Sequence, residues 1–319
     1  MKLGGEKMKI LKKKNGKLYS EILDEWLKTK SKVKIQSYQK YENIIFKIKE
    51  ELGAIISYEL QTKHFICFFE NQNDKGVSIS VQKTMLYIIN SSLSYAYKHK
   101  YCNYIELTDI KLKSLSKSIQ VFSKDEQKII EEKAKEKMNI RKLCLLLCLY
   151  TGLRIGEISG LKWEDINFSS KSLEIKRTIE RIKNTDEPSH AKTILIASTP
   201  KSETSNRIVP IPDFLIPFLQ EFKSENQYYI LSNSEKMYDP RQFESFYERF
   251  LKSCNVNYAN FHTLRHTFAT RSIESKMDIK TLSEILGHSS IEITLKLYVH
   301  PSYELKKASI ESLVTFMTT

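Results

Sequence analysis

Glycine and proline are scarce in this chain, nine and seven among 319 residues. β-Sandwiches and barrels need many tight turns, so this shortage, beside abundant Lys, Leu, Ile and Glu, favours helix. No apolar run is long enough to span a bilayer: the longest near-apolar stretch, residues 143–150, falls far short of the ~20 needed. The opening residues, MKLGGEKMKILKKKNGK, lack the apolar centre of a signal peptide. The sequence therefore reads as cytoplasmic, with no membrane partner. Five cysteines (Cys67, Cys102, Cys144, Cys148, Cys254) follow no zinc-ligand spacing, and their odd number argues against a full disulfide framework. Cys144 and Cys148, one helical turn apart in an apolar run, read as small buried hydrophobes. Acidic residues are also short, 38 against 51 Lys and Arg, for a net charge of +13. The deficit is concentrated early: residues 1–120 hold 22 basic and 12 acidic residues, the remainder 29 and 26. Such an excess suits a polyanion, most simply nucleic acid.

Residues 1–17 carry seven lysines, among them Lys12, Lys13 and Lys14, against one acid, and read as a basic flexible tail. Tyr19, Ile22, Leu23, Trp26 and Leu27 then fall on one helical stripe. A second stripe over residues 35–48 turns Tyr38, Tyr41, Ile44, Ile45 and Ile48 inward. Residues 62–72 and 78–98 complete four helices, which predicts a compact helical bundle over residues 18–112. Its basic positions include Lys32, Lys34, Lys83, Lys98 and Lys100. Residues 113–121 read as a linker without aromatic residues. Ser123 and Glu126 form a capping box that opens a second domain, residues 122–319. There, residues 139–150 read as a buried helix ended by Thr151-Gly152, and residues 154–161 as a short helix. Strand-like runs follow at 172–177, 193–198 and 207–211, with the turn TPKSETSN between the last two. Residues 178–192 receive no element. Residues 213–222 and 240–254 look helical. The tail, 302–316, sets Leu305, Ile310, Leu313 and Val314 at helical spacing, an apolar face in need of a surface.

The chemistry-bearing residues gather in FHTLRHTFATRSIESKMDIKTLSEILGHSSIEITLKLYVH, residues 261–300. His262 and Arg265 are three apart and share a helix face. Arginine forks onto two phosphate oxygens, and an imidazole beside it moves protons near neutral pH. Tyr298 is a candidate covalent nucleophile, although a phenol with a pKa of about 10 must lose its proton during attack. The His262–His266 spacing evokes zinc, but HTLRH has no Glu after its first His, so the metalloprotease pattern fails. Arg154, in TGLRIGE, stands where a helix begins and either holds an anion or pairs with Glu157 three residues on. Lys201 lies on the turn between two strand-like runs, from which a flexible hairpin could reach the same point.

Taken together, the words TGLRIGE, TPKSETSNRIVP, HTLRHTFAT, LGHSS and LYVH, in this order, resemble the tyrosine recombinases, the phage-integrase and Xer-like enzymes. The resemblance is specific over residues 122–300; over residues 18–112 it rests on size, charge and helix pattern. It implies a mainly α fold with a small antiparallel β-sheet: an N-terminal helical core-binding (SAM-like) bundle that contacts DNA, and a mixed α+β catalytic domain. Arg154 and Arg265 would grip the scissile phosphate, with Glu157 supporting Arg154 from behind. Lys201 would protonate the leaving 5′-oxygen, His262 would accept the tyrosine's proton, His288 would donate a hydrogen bond, and Tyr298 would attack. Neither metal nor nucleotide cofactor is implied. The implied partners are double-stranded DNA recombination sites, three further copies in a homo-tetramer on two duplexes, and an accessory DNA-bending factor. The tail helix would dock on a neighbour in trans. Whether the role is integration and excision of a mobile element or Xer-type resolution stays open. A DNA-binding protein without catalysis and a type IB-like topoisomerase are the competing readings.

Overall fold

A computed structural model of the chain describes residues 16–112, 119–184, 191–199 and 206–298, with side chains as far as residue 295, and seven positions of the tail between 307 and 317. The chain divides into two compact units, Met1–Lys117 and Ser118–Thr319.

The first unit is built from α1 (Tyr19–Lys28), α2 (Ile35–Leu52), α3 (Thr62–Asp74) and α4 (Ile79–Lys98). The stripe read from α1 is buried in full. In α2 the buried row is Ile44, Ile45, Ile48 and Leu52, so the helix runs one turn past the predicted end; Tyr38 and Tyr41 sit at the margin of the core. Two polar tips carried inward by aromatic rings find partners. The Tyr19 hydroxyl lies 2.8 Å from Ser92 Oγ, and Trp26 Nε1 donates to Ser91 Oγ at 2.9 Å. Lys32, Lys34, Lys83, Lys98 and Lys100 are exposed; Lys12, Lys13 and Lys14 lie outside the described residues.

The second unit opens with α5 (Lys124–Lys135), started by the expected box: Ser123 Oγ accepts from Glu126 N and the Glu126 carboxylate from Ser123 N. Its axis is α6 (Ile140–Thr151), where every residue from Leu143 to Leu149 is buried, Cys144 and Cys148 included. A helix apolar all round belongs in the middle of a core, and each such leucine contributes about 1.5–3 kcal/mol. Gly152 ends it at a φ of +66°. A Cβ there would stand 2.7 Å from Leu286 Cδ2 and 2.8 Å from Phe268 Cδ1, so both conformation and space require glycine. After α7 (Ile155–Gly160) come two small antiparallel sheets. One has the order β1 (Ile166–Asn167), β2 (Ser172–Ile175), β5 (Arg207–Pro210); the other pairs β3 (Thr178–Lys183) with β4 (Thr193–Ser198).

Two expectations change here. The stretch left without an element contains β3, whose buried Ile179 and Ile182 are three apart and therefore break the period-two signature of a strand. Among the described residues β4 and β5 do not pair with each other but lie in different sheets; Lys201, between them, lies outside the described residues. The remaining elements are α8 (Ile216–Phe222), α9 (Pro240–Ser253), α10 (His262–Glu274), α11 (Ile279–Leu286) and α12 (Ile291–Tyr298). α10 packs along α6, and α11 packs against β5. Among the described residues no helix is long and apolar enough to cross a membrane. The described tail positions are helical and Ile310, Leu313, Val314 and Met317 are exposed; Leu305 lies outside the described residues.

Candidate active site

α11 ends at Leu286 on Gly287, whose φ of +61° lies in the left-handed region. Such an ending leaves the last carbonyls without helical partners, at the negative pole of the helix dipole. Three arginines from three elements take them. Arg207, at the start of β5, donates from Nε to the Ile285 carbonyl at 2.6 Å. Arg265, on α10, donates from Nη2 to the Leu286 carbonyl at 2.8 Å, and from Nη1 to the Gly152 carbonyl at 2.8 Å. Arg154, at the mouth of α7, donates from Nη2 to the Gly287 carbonyl at 3.2 Å. Arg265 is 1 % exposed; the Arg154 side chain is 36 % exposed.

Glu157 completes the frame from the first turn of α7. Its Oε1 accepts from Arg154 Nη1 (2.6 Å) and Arg207 Nη1 (3.0 Å), its Oε2 from Arg207 Nη2 (3.0 Å) and the Arg154 backbone N–H (2.9 Å). Burial opposes its charge, but the two guanidiniums outweigh burial and hold its pKa down at about 2. The ion pair between Glu157 and Arg154 that their spacing allows is present.

His288 follows Gly287 directly. Its Nδ1 lies 2.8 Å from the hydroxyl of buried Thr294 on α12, and burial, then Arg265 and Arg154, depress its pKa to about 4. His262 begins α10, one turn before Arg265. Burial lowers it to about 4, helped by His266, whose ring stands edge-on 4.6 Å away, and by Arg265. Both imidazoles are therefore neutral at pH 7. Arg154, Arg265, His262 and His288 lie within one electrostatic neighbourhood. Tyr298 is the last residue of α12, the helix that starts three residues after His288, but its side chain is outside the described residues, as is Lys201. No cluster of three or more His, Cys, Asp and Glu suited to a metal occurs among the described residues.

A model of the phage integrase family matches residues 120–304, more than half of the chain. The chain belongs to the phage integrase family. A tyrosine recombinase XerC-like protein of Caldanaerobacter subterraneus subsp. tengcongensis is 37% identical over 212 residues, covering 61% of this chain and 54% of that protein. The chain spans about half the length of the curated relatives it matches first. The Tn1549 transposon integrase, solved in complex with transposon right end DNA, superposes with a TM-score of 0.78 at 18% identity, covering 93% of this chain and 100% of that one. A lambda integrase tetramer bound to a Holliday junction gives 0.66 at 16% identity, covering 89% and 78%. These likenesses establish the mainly helical integrase fold with its small antiparallel sheets.

Two side chains of this integrase-family frame escaped sequence reasoning. Thr294 carries no signal beyond its spacing of six from His288. Arg207 does carry one. In β5 it alternates inward with Val209, while Ile208 between them is 67 % exposed. An arginine on the core side of a strand whose isoleucine faces water marks a charge with an internal partner.

Proposed function

We propose that this chain is a site-specific DNA recombinase that cuts and rejoins duplex DNA through a 3′-phosphotyrosyl intermediate. What carries this conclusion is the meeting of two anchored guanidiniums and two neutral imidazoles at the carbonyl end of α11, just before the helix that ends in Tyr298. Arg154 and Arg265 take the scissile phosphate and offset the charge that builds on its non-bridging oxygens; main-chain anchors hold them ready before substrate arrives. Neutral His262 accepts the proton of Tyr298 as the phenol oxygen attacks phosphorus. His288, its Nδ1 engaged by Thr294, offers Nε2–H to a phosphate oxygen. Lys201 protonates the departing 5′-oxygen. Two fixed guanidiniums supply the electrostatic stabilisation that other phosphoryl-transfer enzymes take from metal ions. The phosphotyrosyl ester conserves the bond energy, so joining to another 5′-hydroxyl requires no nucleotide.

The four-helix unit serves as the DNA-binding core-binding domain, and tethering it to the second unit raises the local concentration of phosphate contacts. Assembly is a tetramer on two duplexes in which the tail helix docks in trans, a reading supported by its exposed Ile310, Leu313, Val314 and Met317. A DNA-bending accessory factor would bring the two sites together, and the reaction belongs in the cytoplasm.

The deciding experiment offers a nicked suicide duplex to the wild type and to Tyr298→Phe. The wild type forms a covalent adduct whose held ends, once sequenced, give the site and its 3′ polarity, whereas the variant binds DNA without forming any. An adduct on the variant removes Tyr298 as nucleophile. Relaxation of supercoiled plasmid lacking a site points to a topoisomerase, and a wild type that never forms an adduct to a non-catalytic binder.

A further inference from the structure

The reaction above leaves Arg207 without a task, although few side chains here are held so firmly. It enters the second unit from an inward position of β5, opposite Ile175 and on the same face as Leu173 and Val209. It is 8 % exposed, and its guanidinium is turned to Glu157 and the Ile285 carbonyl. An ion pair this deep is seldom the cheapest way to stabilise a core; apolar residues of similar volume commonly do as well. The geometry of Arg207 answers a different need. Nη1 and Nη2 reach the two Glu157 oxygens at 3.0 Å each, and Nε reaches the Ile285 carbonyl at 2.6 Å. One rigid, planar group therefore ties β5, α7 and the end of α11 together.

Arg154 depends on two of those three elements. Its guanidinium hangs between Glu157 Oε1 and the Gly287 carbonyl, while Arg207 holds both oxygens of Glu157 and the Ile285 carbonyl two residues before Gly287. His288 follows Gly287 in the chain. Resting on the recombinase reading, we propose that Arg207 is a positioning residue for strand cleavage. By clamping Glu157 and the Ile285 carbonyl at once, it aims Arg154 and His288 at the phosphate. Lysine cannot substitute, since a single ammonium has neither the fork nor the fixed plane.

The test measures single-turnover adduct formation on the suicide duplex at saturating full-length protein, for wild type, Arg207→Met, Arg207→Lys, Glu157→Gln and the double variant Glu157→Gln/Arg207→Met. DNA affinity and the folded fraction are measured alongside. Arg207→Met should slow cleavage about a hundredfold, the scale of a misplaced reacting group, with the Kd for DNA changed by less than about threefold. Arg207→Lys should recover only part of the loss. If Arg207 acts through Glu157, adding Arg207→Met to Glu157→Gln costs less than about a further threefold. A wild-type cleavage rate per folded Arg207→Met molecule, with only a lowered Tm, overturns the proposal; so does an undiminished hundredfold loss in the Glu157→Gln background. Should Arg207→Met not fold, Arg207→Lys decides alone, an unchanged rate per folded molecule counting against. A wild type without adduct fails the recombinase reading itself, whereas an active wild type matched by its Arg207 variants fails only this inference.

Discussion

Met1–Lys117 contains no arginine, whereas Ser118–Thr319 contains all nine. In the first unit the bases are lysines, and none of those described is buried. In the second, Arg207 and Arg265 are internal and Arg154 half so, each bound to backbone carbonyls. The two cations do different physical work. A hydrated ammonium on a flexible stem attracts a polyanion from any direction and is screened by salt. A guanidinium fixed at two or three nitrogens keeps its remaining N–H bonds in a set direction. The first unit thus has diffuse attraction alone, whereas the second, which also carries lysines, adds directed charge.

That contrast can be broken most sharply at Glu157. Glu157→Ala strands Arg207 as a buried charge, and unfolding free energy should fall by about 3–5 kcal/mol, a Tm lower by roughly 10 °C for a unit of this size. Lys75→Ala, which breaks the exposed end of the Lys75–Glu51 pair of the first unit, should cost no more than about 1 kcal/mol; equal losses in thermal melts would erase the distinction. Next comes Arg265→Lys, which keeps charge but loses the fork. Single-turnover cleavage should drop by about 10²–10³ while DNA affinity holds; a rate within a few-fold of wild type means direction is unimportant. Acid should expose the buried imidazoles. His262 and His288 sit near 4 in the folded chain against an ordinary value of 6.5, so between those values the unfolded chain binds more protons. Stability then rises with pH across that window and levels above it, and His262→Gln/His288→Gln should flatten the slope of Tm against pH. A slope unchanged in that variant places the histidines in solvent. The smallest effect is expected on the lysine face. Lys32→Gln/Lys34→Gln/Lys83→Gln should reduce the slope of log K against log salt by up to about 0.9 for every phosphate that the protein no longer neutralises, leaving cleavage at saturation alone. An unaltered slope removes these three from the DNA interface.

Legibility followed periodicity and local chemistry. α6 was plain because an uninterrupted apolar run ends at a glycine. Arg154, His262, Arg265 and His288 stood out as residue types suited to a phosphate, and the fold sets the four together. β3 was hidden because Ile179 and Ile182 reach the core at a spacing of three. Pairing of β3 with β4, and of β5 with β2, is a tertiary choice that no local pattern encodes. Arg207 was masked by its neighbour Lys201, and by the habit of placing a charged strand residue in water. Only the exposed Ile208 beside it gives the inversion away.

The oxygens that receive the three guanidiniums belong to the peptide itself, at Ile285, Leu286 and Gly287. No side-chain replacement along α11 can delete them, so heritable variation can reshape that helix's surface freely while the anchors persist. The vulnerable point is the bend at Gly287, where any residue bearing a Cβ would have to adopt a φ of +61°. Drift at that position alone would swing all three moorings together.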